Sequence, residues 1–65
     1  MKGASHIVVV KTTPGNANGV AVQIDALKKP AILGTVAGDD TIIVVVDTEA
    51  HRIAIEREFR ALLGA

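Results

Sequence analysis

Cysteine, tryptophan and tyrosine are absent from this 65-residue sequence, and its single aromatic ring belongs to Phe59. Without cysteine, the chain forms no disulfide and no thiolate metal site, so the fold depends on packing alone. No apolar run exceeds five residues, whereas about 20 are needed to span a bilayer. The start MKGASH also lacks the apolar core of a secretory signal. These absences predict a cytoplasmic protein without a membrane segment.

An excess of charge of either sign is absent too, because seven Lys and Arg residues balance seven Asp and Glu residues. A chain with zero net charge has no field that attracts phosphates, so nucleic acid is not a predicted partner of this segment. Hydrophobic residues, in contrast, make up 49% of the sequence. Domains shorter than about 70 residues usually need extra stabilisation, and with disulfides excluded the form that remains is oligomerisation.

The first half of the chain predicts a strand followed by a helix. The β-branched run His6–Thr12 ends before Pro14-Gly15, a pair typical of turns, and therefore predicts a strand. From Asn16, which suits the N-cap position, apolar residues recur at helical spacing. The predicted helix ends near Lys28-Lys29, because Pro30 blocks its continuation.

The second half predicts a β-hairpin and a second helix. Strands Ala31–Ala37 and Thr41–Val46 flank the turn formers Gly38-Asp39-Asp40. Asp47 or Thr48 then caps a helix whose apolar positions recur at helical spacing. These positions are Ile55, Phe59, Leu62 and Leu63.

The predicted order is strand, helix, strand, strand, helix. It describes one α+β domain over residues 1–65, a two-layer sandwich with both helices on one face of a small sheet. Two strands, Ile7–Val10 and Ile42–Val46, are apolar at every position instead of alternating, which is typical of strands buried on both faces. Because two helices cover only one face, we predict that the other lies in a subunit interface of a homo-oligomer.

Asp39-Asp40 is the one place where adjacent residues bring two carboxylates together. Turn chemistry accounts for Asp in a hairpin loop, and this interpretation stays open. The alternative is a cation site, because adjacent carboxylates need a positive group beside them and a guanidinium matches their oxygens geometrically. On the first helix, Asn18 and Asp25 share a face with Val22 between them. That face suits either an elongated polar ligand or solvent.

No catalytic residue and no metal site is predicted. His6 and His51 are far apart in the sequence and are interpreted as surface histidines. The threonine hydroxyls have no evident base, and nothing resembles a nucleophile elbow or a catalytic triad. We therefore predict that the chain is not an enzyme.

Two longer segments of the sequence carry more specific information about the domain than its overall composition does. They are Thr13–Ala17, with the sequence TPGNA, and Gly34–Ile42, with the sequence GTVAGDDTI. They resemble the two motifs of the C-terminal domain of the bacterial arginine repressor family, a PG-x-A helix start and a GT-[IV]-AGDDT hairpin. The resemblance extends from about Ile7 to Leu63, nearly the whole chain.

This resemblance implies a domain that senses L-arginine as a corepressor and needs no other cofactor. It also implies trimers that pair into hexamers, with arginine bound where two trimers meet. The family's ligand-binding positions correspond in this sequence to Asn18, Asp25, Thr35, Ala37, Asp39 and Asp40. The acidic pair would hold the cationic groups of arginine, and Ala37 would approach the ligand through its backbone.

Three departures from the family pattern are expected. Val22 stands where some members carry a long basic side chain, so a salt bridge into the empty acidic pocket is lost. The N-terminal winged-helix domain is absent, so DNA would be contacted only through a separate domain. The strand that usually precedes His6 is reduced to MKGAS at most.

Two other functions stay open. A domain that keeps the fold but no longer binds a ligand would serve assembly alone, and loss of the first strand would favour it. An enzyme that uses Asp39 and Asp40 as acid and base is the weaker alternative, because no nucleophile or set of metal ligands accompanies them.

Overall fold

Four antiparallel strands and two helices make up the fold of this chain in a computed structural model, which describes residues 1–63 and, of Leu63, only the backbone. In chain order the elements are β1 (Lys2–Ala4), β2 (Ile7–Lys11), α1 (Ala17–Ala26), β3 (Ile32–Ala37), β4 (Thr41–Val46) and α2 (Glu49–Leu63). The strands lie in the order β1-β2-β4-β3. The predicted α+β class is confirmed.

The predicted element order omits β1, and in this respect it is wrong. Lys2–Ala4 pairs antiparallel with β2, with Gly3 opposite Val8. The tight turn between the two strands includes Ser5 in a left-handed conformation, with φ 50°. The segment KGA has no apolar run, so the sequence pattern does not mark it as a strand. Lys2–Ala4 forms a strand because it pairs with β2 and contacts α2.

α1 begins at Ala17, and a carbonyl from another loop caps it. The side chain of Asn16, the predicted N-cap, makes no capping hydrogen bond and donates instead to a threonine hydroxyl in the preceding loop. The carbonyl oxygen of Asp39 accepts the Ala17 N–H at 3.2 Å. α1 also ends earlier than predicted, because the chain turns at Lys28, which adopts a left-handed conformation with φ 51°.

α2 is capped by Thr48, one of the two predicted caps. Its hydroxyl accepts a backbone N–H of the first helical turn at 3.1 Å. Of the predicted apolar positions, Ile55 and Phe59 are buried, whereas Leu62 is 62% exposed. The side chain of Leu63 lies outside the described part of the chain. The buried stripe of α2 is therefore narrower than the sequence pattern indicates.

The core lies between the helices and one face of the sheet. Alternate side chains of β2 and β4 point into it, as expected for pleated strands. The buried residues are Val8, Val10, Ala17, Ala21, Ile24, Ile42, Val44, Val46, Ile55 and Phe59. Since both helices contribute to this one cluster, they cover the same face, as predicted.

The opposite face of the sheet is apolar and uncovered in the single chain. We call it the open sheet face and define it by Ile7, Val9, Val36, Ile43 and Val45. These residues are neighbours across three strands, because Ile7 pairs with Val45 and Ile43 pairs with both Val9 and Val36. Ile7 is 41% exposed and Ile43 is 40% exposed. Within one chain, β2 and β4 are therefore buried on one face only.

Candidate functional site

The β3–β4 loop packs against the loop that precedes α1, so the two motif segments meet. The carbonyl oxygen of Asp39 accepts the N–H of Gly15 at 3.1 Å in addition to the N–H of Ala17. The carbonyl oxygen of Asp40 accepts the N–H of Thr12 at 2.7 Å. Backbone groups of the acidic pair therefore join the two loops, which leaves both carboxylates for contacts of their own.

The carboxylate of Asp40 has a partner on each of its oxygens. The Thr41 hydroxyl donates to Oδ1 at 2.9 Å, and Nζ of Lys11 lies 3.5 Å from Oδ2. Nζ of Lys11 also donates to Oγ1 of Thr41 at 2.8 Å. The hydrogen bond from Thr41, followed by the charge of Lys11, lowers the pKa of Asp40 below its ordinary value of 3.8. Asp40 is therefore ionised at neutral pH.

Asp25 and Thr35 meet where α1 packs on β3. The Thr35 hydroxyl donates to Oδ1 of Asp25 at 2.9 Å. Thr35 pairs with Val44, whose side chain is buried in the core, so Thr35 lies on the helix-covered face of the sheet. Ala37, two residues further along β3, shares that face and packs against the core. The hydrogen bond from Thr35 thus joins two of the predicted site residues across α1 and β3.

The exposed side of α1 carries Asn18, Val22 and Asp25. Val22 is 66% exposed. The contact of Asp39 with the first turn of α1 places Asn18 at the loop end of this side and Asp25 at the other end. The side therefore has polar residues at both ends and an apolar residue in the middle.

The six predicted residues lie on α1, β3 and the β3–β4 loop, and β3 is the outermost strand of the sheet. They do not form a single closed pocket in one chain. Asp25 and Thr35 form one cluster, and Asp40 forms a second with Lys11 and Thr41. In one chain the site is thus two separate polar clusters, both in contact with water.

Lys11 and Thr41 contact Asp40, although neither is among the six predicted residues. Thr41 directly follows Asp40 in the GDDT segment, which is a signal that sequence reasoning can use. For Lys11 no such signal exists, because its position beside the acidic loop follows from its pairing with Thr41 in the register of β2 and β4.

Chemically, this edge offers carboxylates and hydroxyls, which suit the binding of cationic groups. Both histidines lie elsewhere: His6 Nδ1 is 3.3 Å from the carbonyl oxygen of Val46, and His51 Nδ1 is 2.7 Å from Oδ1 of Asp47. Among residues 1–63, no three potential metal ligands form a group. In the same part of the chain, neither helix has the length and apolar character needed to cross a membrane.

Comparison with known proteins gives matches over almost the whole chain. The family model of the arginine repressor C-terminal domain matches residues 1–61. The arginine repressor of Thermus thermophilus is 50% identical over 58 residues, which are 89% of this chain and 35% of that protein. The arginine repressor of Solibacter usitatus is 43% identical over 60 residues, which are 92% of this chain and 41% of that protein. The arginine repressor of Bacillus licheniformis is 38% identical over 60 residues, or 92% of this chain and 40% of that protein.

This chain therefore spans less than half the length of these curated relatives. Their common name is that of a transcription regulator, which agrees with the prediction that the chain is not an enzyme. The resemblance carried by TPGNA and GTVAGDDTI is confirmed by the family model, which covers both segments. The chain belongs to the arginine repressor family, in which it corresponds to the C-terminal domain.

Proposed function

We propose that this chain senses L-arginine in the cytoplasm and couples its binding to self-association. It does so within a longer repressor of arginine metabolism whose DNA contacts belong to a separate domain. The observation that carries the proposal is the edge formed by α1, β3 and the β3–β4 loop. Three carboxylates, those of Asp25, Asp39 and Asp40, lie there on elements that contact one another.

Arginine has two cationic groups, a guanidinium and an α-ammonium, joined by an aliphatic chain. The loop with Asp39 and Asp40 contacts the first turn of α1 through the Asp39 carbonyl, and Asp25 lies in the last turn of that helix. A guanidinium binds a carboxylate through two parallel hydrogen bonds, and an aliphatic chain packs on an exposed apolar residue such as Val22. The remaining site positions, which supply polar side chains or backbone groups, are Asn18, Thr35 and Ala37.

A second copy of the chain encloses this site in our proposal. The side chain of Asp40 is 46% exposed, and ion pairs in contact with water contribute little to binding. A copy that packs over the edge removes water and strengthens each charged contact. Arginine held between copies stabilises only the assembled form, so binding and assembly are linked.

The open sheet face serves basal self-association, which needs no ligand. It joins Ile7, Ile43 and Val36 across three strands, and Val36 is 66% exposed. A contiguous apolar patch on a water-soluble domain is typical of an interface. We propose a trimer through this face and a hexamer when two trimers meet at the arginine site.

The assembly-only alternative is now less well supported. It depended on loss of the first strand, yet β1 is present and pairs with β2. The remaining difference between the two functions is whether arginine binds.

Calorimetric titration with L-arginine tests this difference. We expect binding heat from the parent chain and affinity weaker by about tenfold or more for Asp40→Asn, which removes a charged acceptor without opening a core cavity. Glu49→Gln, which removes one exposed carboxylate at the start of α2, is the matched control and should bind as the parent does.

If titration of the folded parent chain with L-arginine gives no heat beyond that of dilution, the chain does not bind arginine. Assembly would then be its only function. Equal affinities for the parent and Asp40→Asn would instead show that Asp40 is only a turn residue. The two failures are therefore distinguishable in one experiment.

A further inference from the structure

Both oxygens of the Asp40 carboxylate are occupied within the chain itself. Oδ1 accepts the Thr41 hydroxyl at 2.9 Å, and Oδ2 lies 3.5 Å from Nζ of Lys11. A guanidinium that binds Asp40 through two parallel hydrogen bonds needs both oxygens. It therefore meets a cation that is already in place.

We propose that Lys11 is an internal competitor for Asp40 that sets how tightly a cationic ligand binds at this carboxylate. This inference rests on the proposed function, because it concerns the regulation of the same site. In the unliganded chain, the ammonium of Lys11 holds the position that the cationic group of the ligand takes. Ligand binding is then an exchange of one cation for another.

The backbone keeps Lys11 beside the acidic loop whether or not its ammonium contacts Asp40. Lys11 is the last residue of β2 and pairs directly with Thr41, the first residue of β4. A tethered cation competes at a high effective concentration, since it cannot diffuse away. The competition therefore acts at every ligand concentration.

The contact is also weak enough to be displaced. The side chains of Lys11 and Asp40 are 60% and 46% exposed, and ion pairs of this kind add little to stability. Lysine carries a compact charge on a flexible chain, whereas guanidinium has a planar fork that matches both carboxylate oxygens. A guanidinium ligand therefore displaces Lys11, whereas an ammonium ion gains no geometric advantage over it.

Two substitutions at this position have opposite expected effects. Lys11→Gln removes the competing charge without adding apolar surface, so L-arginine should bind about two- to fivefold more tightly. Lys11→Arg places a guanidinium within the chain that can bind both oxygens of Asp40, so the affinity for L-arginine should fall by a similar factor. Arg57→Gln removes the same charge from an exposed position on α2 and should leave the affinity unchanged.

The experiment is a calorimetric titration of these four proteins with L-arginine at one ionic strength, with circular dichroism to verify that each is folded. Tighter binding by Lys11→Gln than by the parent, together with weaker binding by Lys11→Arg, is the expected result. Tighter binding by Lys11→Gln with unchanged binding by Lys11→Arg would also support the inference. Equal or weaker binding by Lys11→Gln, with normal binding by the parent, would overturn this inference and leave the proposed function intact. Absence of binding in all four folded proteins would overturn both.

Discussion

The backbone and the side chain of Asp40 have separate roles. Its carbonyl oxygen accepts the N–H of Thr12 and holds two loops together, whereas its carboxylate carries a charge that Thr41 and Lys11 stabilise. The turn interpretation and the cation-site interpretation of the acidic pair are therefore compatible. A substitution that changes only the carboxylate separates the ligand role from the structural one.

At Phe59, the expected effect is on stability alone. Its side chain is 1% exposed and is the largest in the core, so Phe59→Ala should lower the free energy of unfolding by about 3–5 kcal/mol. Leu62→Ala, on the same helix but exposed, should cost far less. Denaturant titration at one protomer concentration measures both free energies of unfolding. A loss of less than about 0.5 kcal/mol in Phe59→Ala would show that the ring is not packed in the core.

At Glu56, the expected effect depends on pH. Hydrogen bonds from Arg52, and to a lesser extent from Arg60, lower the pKa of Glu56 below its ordinary value of 4.5. A carboxyl with a lowered pKa stabilises the fold above its unfolded pKa, and this contribution is lost as pH falls through the folded pKa.

We therefore expect Glu56→Gln to be less stable than the parent at pH 7, with the difference shrinking below about pH 4.5. Thermal unfolding across pH 3–7 measures this difference, and contributions from other carboxyls cancel because both proteins share them. A stability difference that is constant over this range would contradict the assignment of Glu56 as a charged partner.

At the scale of elements, α2 both covers the core and holds β1. Arg52 Nε donates to the carbonyl oxygen of Ser5 at 3.1 Å, and Arg52 Nη1 lies 2.9 Å from Oε1 of Glu56. This ion pair lies directly over Gly3, where a Cβ atom would come within 1.7 Å of the Glu56 carboxylate. The absence of a side chain at Gly3 therefore lets the arginine and glutamate pack against the strand.

Removal of this contact should loosen β1 selectively. Arg52→Ala should speed amide exchange in Lys2–Ala4 while leaving β4, in the centre of the sheet, protected. Arg57→Ala, on the exposed side of the same helix, is the control and should not change exchange in β1. Hydrogen exchange measured by NMR distinguishes these results, and unchanged exchange of β1 in Arg52→Ala would show that pairing with β2 suffices to hold it.

The elements differ in how far the sequence predicts them, and the reason is physical. β4 and α2 were predictable because a β-branched run and a helical repeat are local signals. β1 and the cap of α1 were not, since both depend on partners distant in the sequence: Arg52 for β1 and Asp39 for α1. The site shows the same division, because the GDD segment reveals its acidic pair, whereas Lys11 joins it only through strand register.

At the scale of the whole molecule, two surfaces with different chemistry lie on one small domain. The open sheet face is apolar, as expected of an interface that persists without ligand. The surface with Asp25, Asp39 and Asp40 carries three carboxylates beside the one ammonium of Lys11, so copies that meet there repel one another until a further cation lies between them. This difference predicts a basal oligomer that arginine enlarges.

Light scattering at micromolar concentration, with and without L-arginine, measures the mass of the chain in solution and so tests whether arginine binding drives assembly. We expect a trimer or larger species without arginine and a shift toward a hexamer when arginine is added. Asp40→Asn should keep the basal mass and lose the shift, because only the ligand-dependent step needs its charge. A compact monomer, or a mass that arginine does not change, would contradict the coupling of ligand binding to assembly.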